Sequence, residues 1–98
     1  MKIEKSREGS TLNLTIDDRL DTKSAPELEA LFNAELAGID NICIDFSKVE
    51  YISSAGLRAL LNGYRMLEGR GGITVRNANE IVREVFEVTG MNSVLNIE

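Results

Sequence analysis

Residues 51–61 read Tyr-Ile-Ser-Ser-Ala-Gly-Leu-Arg-Ala-Leu-Leu and are the most informative segment of the chain. It joins an apolar segment to a segment whose leucines recur at helical spacing, so it predicts a strand that leads directly into a helix. Two hydroxyl side chains, Ser53 and Ser54, stand at the junction. A serine here can cap the free N–H groups of the helix, and a phosphate on it would lie at the positive end of the helix dipole.

The segments before this junction predict a hairpin, a helix and a central strand. Strands are expected near residues 2–7 and 11–17, because leucine and isoleucine alternate with polar residues in the second of them. Residues 17–21 are predicted to form a polar loop. Ser24-Ala25-Pro26-Glu27 has the pattern of a capping box and predicts a helix that Gly38 ends. Residues 41–46 form a short apolar run that predicts a central strand.

The segments after the junction predict two more helices and two more strands. The second helix is expected from Ser54 to about Glu68, with one apolar stripe facing inward: Leu57, Leu60, Leu61, Tyr64 and Leu67. Residues 73–75 predict a strand, Asn77 is predicted to cap a third helix that Gly90 ends, and residues 94–97 predict a short final strand. This order predicts a single α/β domain over residues 1–98, with a mixed, mostly parallel sheet of four to five strands and interspersed helices.

Residues 51–61 resemble the signature of STAS domains, the family of bacterial anti-sigma-factor antagonists. Three further segments match the family in order and spacing: Arg19-Leu20-Asp21, Ile44-Asp45-Phe46 and Thr89-Gly90-Met91. The resemblance covers nearly the whole chain and implies the same architecture. In the family, the turn usually reads Asp-Ser-(Ser/Thr/Ala)-Gly-Leu, and the serine after the aspartate is phosphorylated by a partner kinase.

This resemblance implies that Ser54 is the phosphorylated residue, with Ser53 as the alternative. Ser53 occupies the position of the family aspartate, and this is the main departure from the family pattern. A carboxylate at that position could orient the acceptor hydroxyl or help to bind the metal of the kinase. Helix capping is the simpler explanation of a serine at this turn, and it accounts for one of the two serines better than for both.

Four residues around the acceptor are candidate partner contacts: Asp21, Ser53, Gly56 and Arg58. Glycine in the first turn of a helix is unfavourable, so Gly56 indicates a close approach, either by another chain or by packing inside the domain. Arg58 lies one turn after Ser54 and could contact a partner or a phosphate, or be simply solvated. Asp21 is expected at the same end of the sheet as Ser54, whereas Asp45 is expected to bond turn amides.

The resemblance implies a phospho-regulated anti-sigma-factor antagonist. Such a protein binds an anti-sigma factor that is a GHKL-type serine kinase, phosphorylation of Ser54 blocks the binding, and a PP2C-type phosphatase resets it. Two alternatives stay open. The chain could be a non-phosphorylated, stand-alone STAS subunit of a larger complex of the lipid-transport or stressosome type. It could also be a small nucleotide-binding domain.

The composition argues against several other classes of function. The formal net charge of −5 disfavours binding to nucleic acid or to an anionic membrane surface. Without histidine, the chain cannot form a Ser-His-Asp triad, and with one cysteine it cannot form a zinc site from His and Cys. We therefore expect no enzymatic activity, no metal site and no cofactor.

The sequence also bears on the cellular environment. Cys43 lies between Ile42 and Ile44 and is interpreted as a small buried hydrophobic residue, because no neighbour would lower the pKa of its thiol. A lone cysteine cannot form a disulfide within the chain and fits a reducing compartment. No signal peptide or membrane-spanning segment is visible. We expect a cytoplasmic protein without membrane insertion that is a monomer when free.

Overall fold

The computed structural model describes residues 2–98, which form one five-stranded sheet and three α-helices. In chain order the elements are β1 (Lys2–Glu8), β2 (Thr11–Leu20), α1 (Ala25–Glu35), β3 (Asn41–Ile52), α2 (Ser54–Met66), β4 (Ile73–Arg76), α3 (Glu80–Thr89), a 3-10 turn (Met91–Ser93) and β5 (Asn96–Ile97). The strands lie side by side in chain order; β1 is antiparallel to β2, and the other neighbours are parallel. The predicted mixed, mostly parallel α/β sheet is confirmed.

One face of the sheet is buried and the other is open. The register aligns Leu12 with Ile42 and Ile73, and the next row aligns Leu14 with Ile44 and Val75. These six side chains are buried. The residues between them in sequence are half-buried and polar apart from one cysteine: Asn13, Cys43 and Thr74. Because side chains alternate along a strand, the core lies on one side of the sheet only.

All three helices pack on the buried face. The ring of Phe86 in α3 lies 6.1 Å from that of Phe46 in β3, measured between centroids. Gly63 of α2 faces the ring of Phe32 in α1, and Gly56 of α2 lies against the sheet. Each of these helix residues is buried. The helices therefore form one layer on this face, and β3 is the central strand of the sheet beneath them.

The two central strands are longer than the sequence predicted. Residues 17–20 belong to β2 rather than to a polar loop, and β3 continues beyond residue 46 to Ile52. The extensions pair with each other, with Leu20 beside Ile52, after register shifts in β2. Residues 17–19 are exposed, so their charged side chains stay in water while the backbone pairs. Polar side chains alone therefore misled the loop prediction.

Two predicted helix caps are wrong in detail. Ser24 is buried and makes no side-chain cap for α1; its hydroxyl instead donates to the carbonyl of Arg19 at 2.7 Å. The cap of α3 is Asn79 rather than Asn77, and its side chain accepts a hydrogen bond from the Val82 amide at 2.8 Å. Asn77 has a φ of 62° and lies in the preceding turn, where asparagine tolerates a left-handed backbone.

The buried side of α2 also differs from the predicted stripe. Its centre consists of small residues together with one leucine: Gly56, Ala59, Leu60 and Gly63. Leu57, Leu61 and Tyr64 are half-buried at the edge of this face. The small residues allow α2 to approach both the sheet and α1 closely, as the contacts of the two glycines indicate. The predicted stripe therefore does face inward, with Leu60 and Leu67 fully buried, but the face is centred on the small residues beside it.

The remaining correction concerns Cys43. It lies on the open face of the sheet and is half-buried, not fully buried as predicted. Its neighbours by register are Asn13 and Thr74. The alternation of β3 explains this, because Ile42 and Ile44 on either side of it occupy the core face.

Candidate functional site

The turn between β3 and α2 is fixed by the backbone of Ser53. Its amide donates to the carbonyl of Leu20 at 2.9 Å, which ties the turn to the end of β2. Its backbone is extended, with φ −95° and ψ 175°, and its carbonyl accepts from the Leu57 amide at 3.0 Å. Its hydroxyl accepts from the Gly56 amide at 3.4 Å. Ser53 is therefore the N-cap of α2, as the capping argument predicts for one of the two serines.

Ser54 has a different role from Ser53. It is the first residue of α2 and it is exposed, whereas Ser53 is half-buried. Among residues 2–98, no side-chain hydrogen bond involves the Ser54 hydroxyl, since the cap is supplied by its neighbour. The amides of Ser54 and Ala55 lie in the first turn, where a helix has no backbone acceptor for them. An exposed hydroxyl thus stands beside N–H groups that favour negative charge.

Gly56 is explained by packing inside the domain. A Cβ atom at this position would lie 2.7 Å from the Leu20 carbonyl oxygen and 2.8 Å from Cγ1 of Ile52. The close approach that the sequence indicated is therefore made by the protein's own β2 and β3. Gly56 is buried, so the structure accounts for the glycine without a second chain.

Asp21 lies at the same end of the sheet as Ser54, as predicted. It follows Leu20, whose carbonyl binds the Ser53 amide. One carboxylate oxygen of Asp21 accepts from the amides of Lys23 and Ser24, at 3.0 and 3.2 Å. The Ser24 amide, followed by that of Lys23, holds the pKa of Asp21 below its ordinary value despite partial desolvation. Asp21 is therefore an ordered, ionised carboxylate beside the serine turn at neutral pH.

Arg58 lies on α2 as the sequence predicted, whereas Asp45 lies within β3 and not near the end of the strand. Asp45 accepts from the Ser47 amide at 2.8 Å and from the Asn77 side-chain amide at 3.2 Å. The Ser47 amide lowers the pKa of Asp45. Asp45 is therefore a structural acceptor, but Ser47 belongs to β3 and Asn77 follows β4, so its partners lie away from the serine turn. Arg58 is exposed on α2, four residues after Ser54 and hence on the same side of the helix.

One pair of side chains near the turn was missed by the sequence analysis. Tyr51 is exposed to 42%, although it precedes the buried Ile52. The guanidinium of Arg19 lies over its ring, 6.0 Å from the centroid. Strand alternation was the signal that could have found it, since a buried Ile52 directs Tyr51 to the opposite face. Arginine stacked on an exposed aromatic ring is a common feature of binding surfaces.

The surface around the turn is polar and charged. Within residues 2–98 there is no group of three or more His, Cys, Asp or Glu side chains placed to hold a metal ion. The serine pair also has no histidine beside it, since the sequence contains none. No helix in this range is long and apolar enough to cross a bilayer. What the surface offers is an exposed hydroxyl, a carboxylate and a stacked arginine.

Substitutions at Ser54 are expected to leave the fold intact. Ser54→Ala and Ser54→Asp should melt within a few degrees of the wild type, because the side chain is exposed and a negative charge suits a helix start. Thermal unfolding followed by circular dichroism measures this. A large loss of stability in either variant would contradict the exposed placement of Ser54.

The sequence matches a protein-family model and is similar to a named bacterial protein. A family model described as "Mlab, STAS domain" matches residues 3–96. A protein of Bordetella bronchiseptica (strain ATCC BAA-588 / NCTC 13252 / RB50), named "Putative anti-sigma factor antagonist BtrV", is 30% identical over 96 residues. The match covers 96% of this chain and 83% of the relative.

Solved structures have the same fold. The anti-sigma factor antagonist SpoIIAA in its unphosphorylated form superposes with a TM-score of 0.84 at 20% identity, covering 99% of this chain and 88% of that one. The Bacillus cell fate determinant SpoIIAA in the phosphorylated form gives a TM-score of 0.77 at 18% identity, covering 99% and 91%. With the family model matching nearly every residue from the first strand to the last, this chain belongs to the STAS-domain family of anti-sigma-factor antagonists.

Proposed function

We propose that this protein is a phospho-regulated anti-sigma-factor antagonist whose switch is Ser54. In this proposal the unmodified protein binds an anti-sigma factor that is a GHKL-type serine kinase. The kinase phosphorylates Ser54 and releases the protein, and a PP2C-type phosphatase restores the binding form. The observation that carries the proposal is the exposed Ser54 hydroxyl at the start of α2, left unengaged because Ser53 supplies the cap.

Electrostatics explains why such a modification would act on a partner and not on the fold. A phosphate adds about −1.5 to −2 charges and strong acceptor oxygens. At Ser54 it would lie beside the first amides of α2, which favour negative charge. The domain would therefore tolerate it. A partner seated on the same surface would meet a bulky, hydrated anion beside the carboxylate of Asp21, and desolvating that group is costly.

The proposed contact surface consists of Asp21, Ser53, Ser54 and Arg58, with Gly56 beneath it. Leu20 links the Asp21 side to the serine side through its bond to the Ser53 amide. Gly56 contributes by letting α2 lie close to Leu20, so it sets the position of the surface. Arg58 is exposed and can contact either the partner or the phosphate.

Serine at position 53 supports an alternative proposal in which the protein is not phosphorylated. The family pattern has aspartate there, and this chain has only the capping hydroxyl. In the alternative, Ser54 is never phosphorylated and the chain is a constitutive STAS subunit of a larger complex of the lipid-transport or stressosome type. Both proposals use the same contact surface, and in both the protein is cytoplasmic and a monomer when free. They differ in whether Ser54 is phosphorylated.

Identifying the phosphorylated residue distinguishes the phospho-regulated antagonist from the constitutive subunit. We expect the intact protein from its native cells to include a form heavier by one phosphate, with Ser54 identified by peptide fragmentation. With a GHKL-type kinase from the same cells and labelled ATP, Ser54→Ala should lose the label completely, whereas Ser53→Ala, the matched control one residue away, should keep it.

Other outcomes of this experiment are equally informative. Label lost in Ser53→Ala and kept in Ser54→Ala would move the acceptor to Ser53. No phosphate in cells, and no label on the wild type under conditions in which the kinase phosphorylates another substrate, would favour the constitutive subunit. Binding of ATP by the isolated protein, measured by calorimetry, would instead favour a nucleotide-binding domain.

A further inference from the structure

We infer that α3 carries a second docking surface, separate from the serine turn, that receives a basic amphipathic helix of a partner protein. The surface is formed by Ile81, Val85 and Val88, which lie at positions i, i+4 and i+7 of the helix. Side chains at this spacing share one side of a helix and extend over two turns, about 10 Å. We call this set the α3 stripe.

The two ends of the α3 stripe are exposed to solvent. Ile81 is exposed to 60% and Val88 to 76%, and they are the two most exposed large apolar side chains among residues 2–98. The fully buried core residues of α3 are Val82 and Phe86. Val85 lies between the two exposed residues, is half-buried and packs against the edge of the core. Single exposed apolar residues are common, but two exposed residues and a half-buried one aligned on the same side of a short helix form an apolar strip of the kind that contacts a partner.

The charges beside the stripe identify the chemistry of the partner. By helical geometry Glu80, Glu84 and Glu87 lie along one border of the stripe, and the buried side of α3 forms the other border. Among residues 2–98, none of the three glutamates makes a salt bridge. The nearby cation Arg83 is engaged elsewhere, since it donates to the backbone carbonyls of Ala78 and Glu98 at 3.0 Å each. An apolar strip with an uncompensated acidic border complements an apolar strip with lysine or arginine beside it.

The same charges disfavour a second copy of this chain as the partner that binds the α3 stripe. Two copies meeting through the stripe would be related by a two-fold axis, which brings the same residues of both chains together. Glu84 is adjacent to Val85 near the middle of the stripe, so the two Glu84 carboxylates would approach each other. Like charges at an interface are unfavourable unless they are compensated.

The start of α3 is held firmly enough to present a fixed surface. The Asn79 side chain caps the helix by accepting from Val82, and its amide nitrogen donates to the carbonyls of Val49 and Glu50 at 3.3 Å each. Gly90, with φ 77°, ends the helix with the left-handed conformation that suits glycine. A helix fixed at both ends loses little conformational freedom when a partner binds.

Two model peptides test the inference with the full chain. Both are roughly 14 residues long, about four helical turns, with leucine along one side. One carries lysine at the other positions and the second carries glutamate. Titrated into ¹⁵N-labelled protein, the lysine peptide should shift the amide resonances of Ile81, Val85 and Val88 and their neighbours, and the glutamate peptide should not.

Matched variants separate apolar contact from general charge attraction. Val88→Asp adds a negative charge, which by itself would strengthen binding of the lysine peptide, yet we expect it to weaken binding at least about tenfold by removing an apolar contact. Met66→Asp adds the same charge at another exposed apolar residue, 36% exposed on α2, and should not weaken binding. Both sites are exposed, so both variants should fold.

Several results would overturn the inference. The inference is wrong if the resonance shifts spread over the whole surface or centre on α2. It is also wrong if the glutamate peptide binds as well as the lysine peptide, or if Val88→Asp binds the lysine peptide as tightly as the wild type. A dimer in sedimentation equilibrium that Val88→Asp dissociates would assign the stripe to a second copy. Ser54→Asp should bind the lysine peptide as the wild type does, because the α3 stripe does not use the serine turn. Failure of the peptide test therefore leaves the proposed role of Ser54 unaffected.

Discussion

Leu60→Ala is expected to lower the free energy of unfolding by about 2–5 kcal/mol. Leu60 is fully buried at the centre of the inward face of α2, so truncation leaves a cavity between the helix and the sheet. A loss of this size is a large part of the roughly 5–15 kcal/mol that stabilises a typical domain. Urea denaturation measures it as a shift of the midpoint with an unchanged slope.

The adjacent residue offers a matched control for this experiment. Leu61→Ala removes the same atoms from a half-buried side chain and should cost about 1 kcal/mol, roughly half of the transfer free energy of a buried leucine. Equal losses at the two positions would mean that the inward face of α2 is centred elsewhere. A larger loss at Leu61 would contradict the packing described above.

Gly56→Ala is expected to lower the free energy of unfolding by about 1–3 kcal/mol, the range typical of overpacking. In an open helix the same change would be stabilising by up to about 1 kcal/mol, because alanine is the better helix former. Here the added methyl group would lie 2.7 Å from the carbonyl oxygen of Leu20. The start of α2 must then move away from β2. Urea denaturation of Gly56→Ala and of the wild type shows whether the free energy of unfolding falls or rises.

Gly72→Ala is the control for Gly56→Ala. A Cβ atom at Gly72 would meet no atom within 4 Å, and its backbone does not need a left-handed conformation. This variant should therefore have nearly wild-type stability. If Gly56→Ala proved as stable as Gly72→Ala, close packing of α2 against Leu20 and Ile52 would no longer explain the glycine.

Most of the fold could be predicted from local patterns. Alternation in β2, apolar runs in β3 and β4, and glycine at helix ends predicted every α-helix and strand that the structure has among residues 2–98. The bounds of the central strands could not be predicted, because residues 17–19 carry charged side chains that indicate a loop when taken alone. Their backbone is in a strand because β3 lies beside them and pairs with them.

The candidate site was predicted in outline. The position of Asp21 at the same end of the sheet as Ser54 follows from topology, since loops after parallel strands meet at one edge. The division of roles between the serines did not follow from the sequence. It depends on which hydroxyl turns back toward the Gly56 amide, and the extended backbone of Ser53 decides that. The pairing of Arg19 with Tyr51 likewise required the register between β2 and β3.

The order of elements, the mixed α/β sheet and the pair of hydroxyls at a helix start, residues 53–54, could be predicted from the sequence, because they depend on periodicity and on helix-start chemistry that neighbouring residues carry. The tertiary structure was needed to show where the inward face of α2 is centred, since two glycines and an alanine permit a closer approach than the half-buried leucines beside them. Close approach between backbones depends on what lies opposite, and that information is not local. For the same reason, only the folded chain distinguishes the exposed α3 stripe from the buried side of that helix.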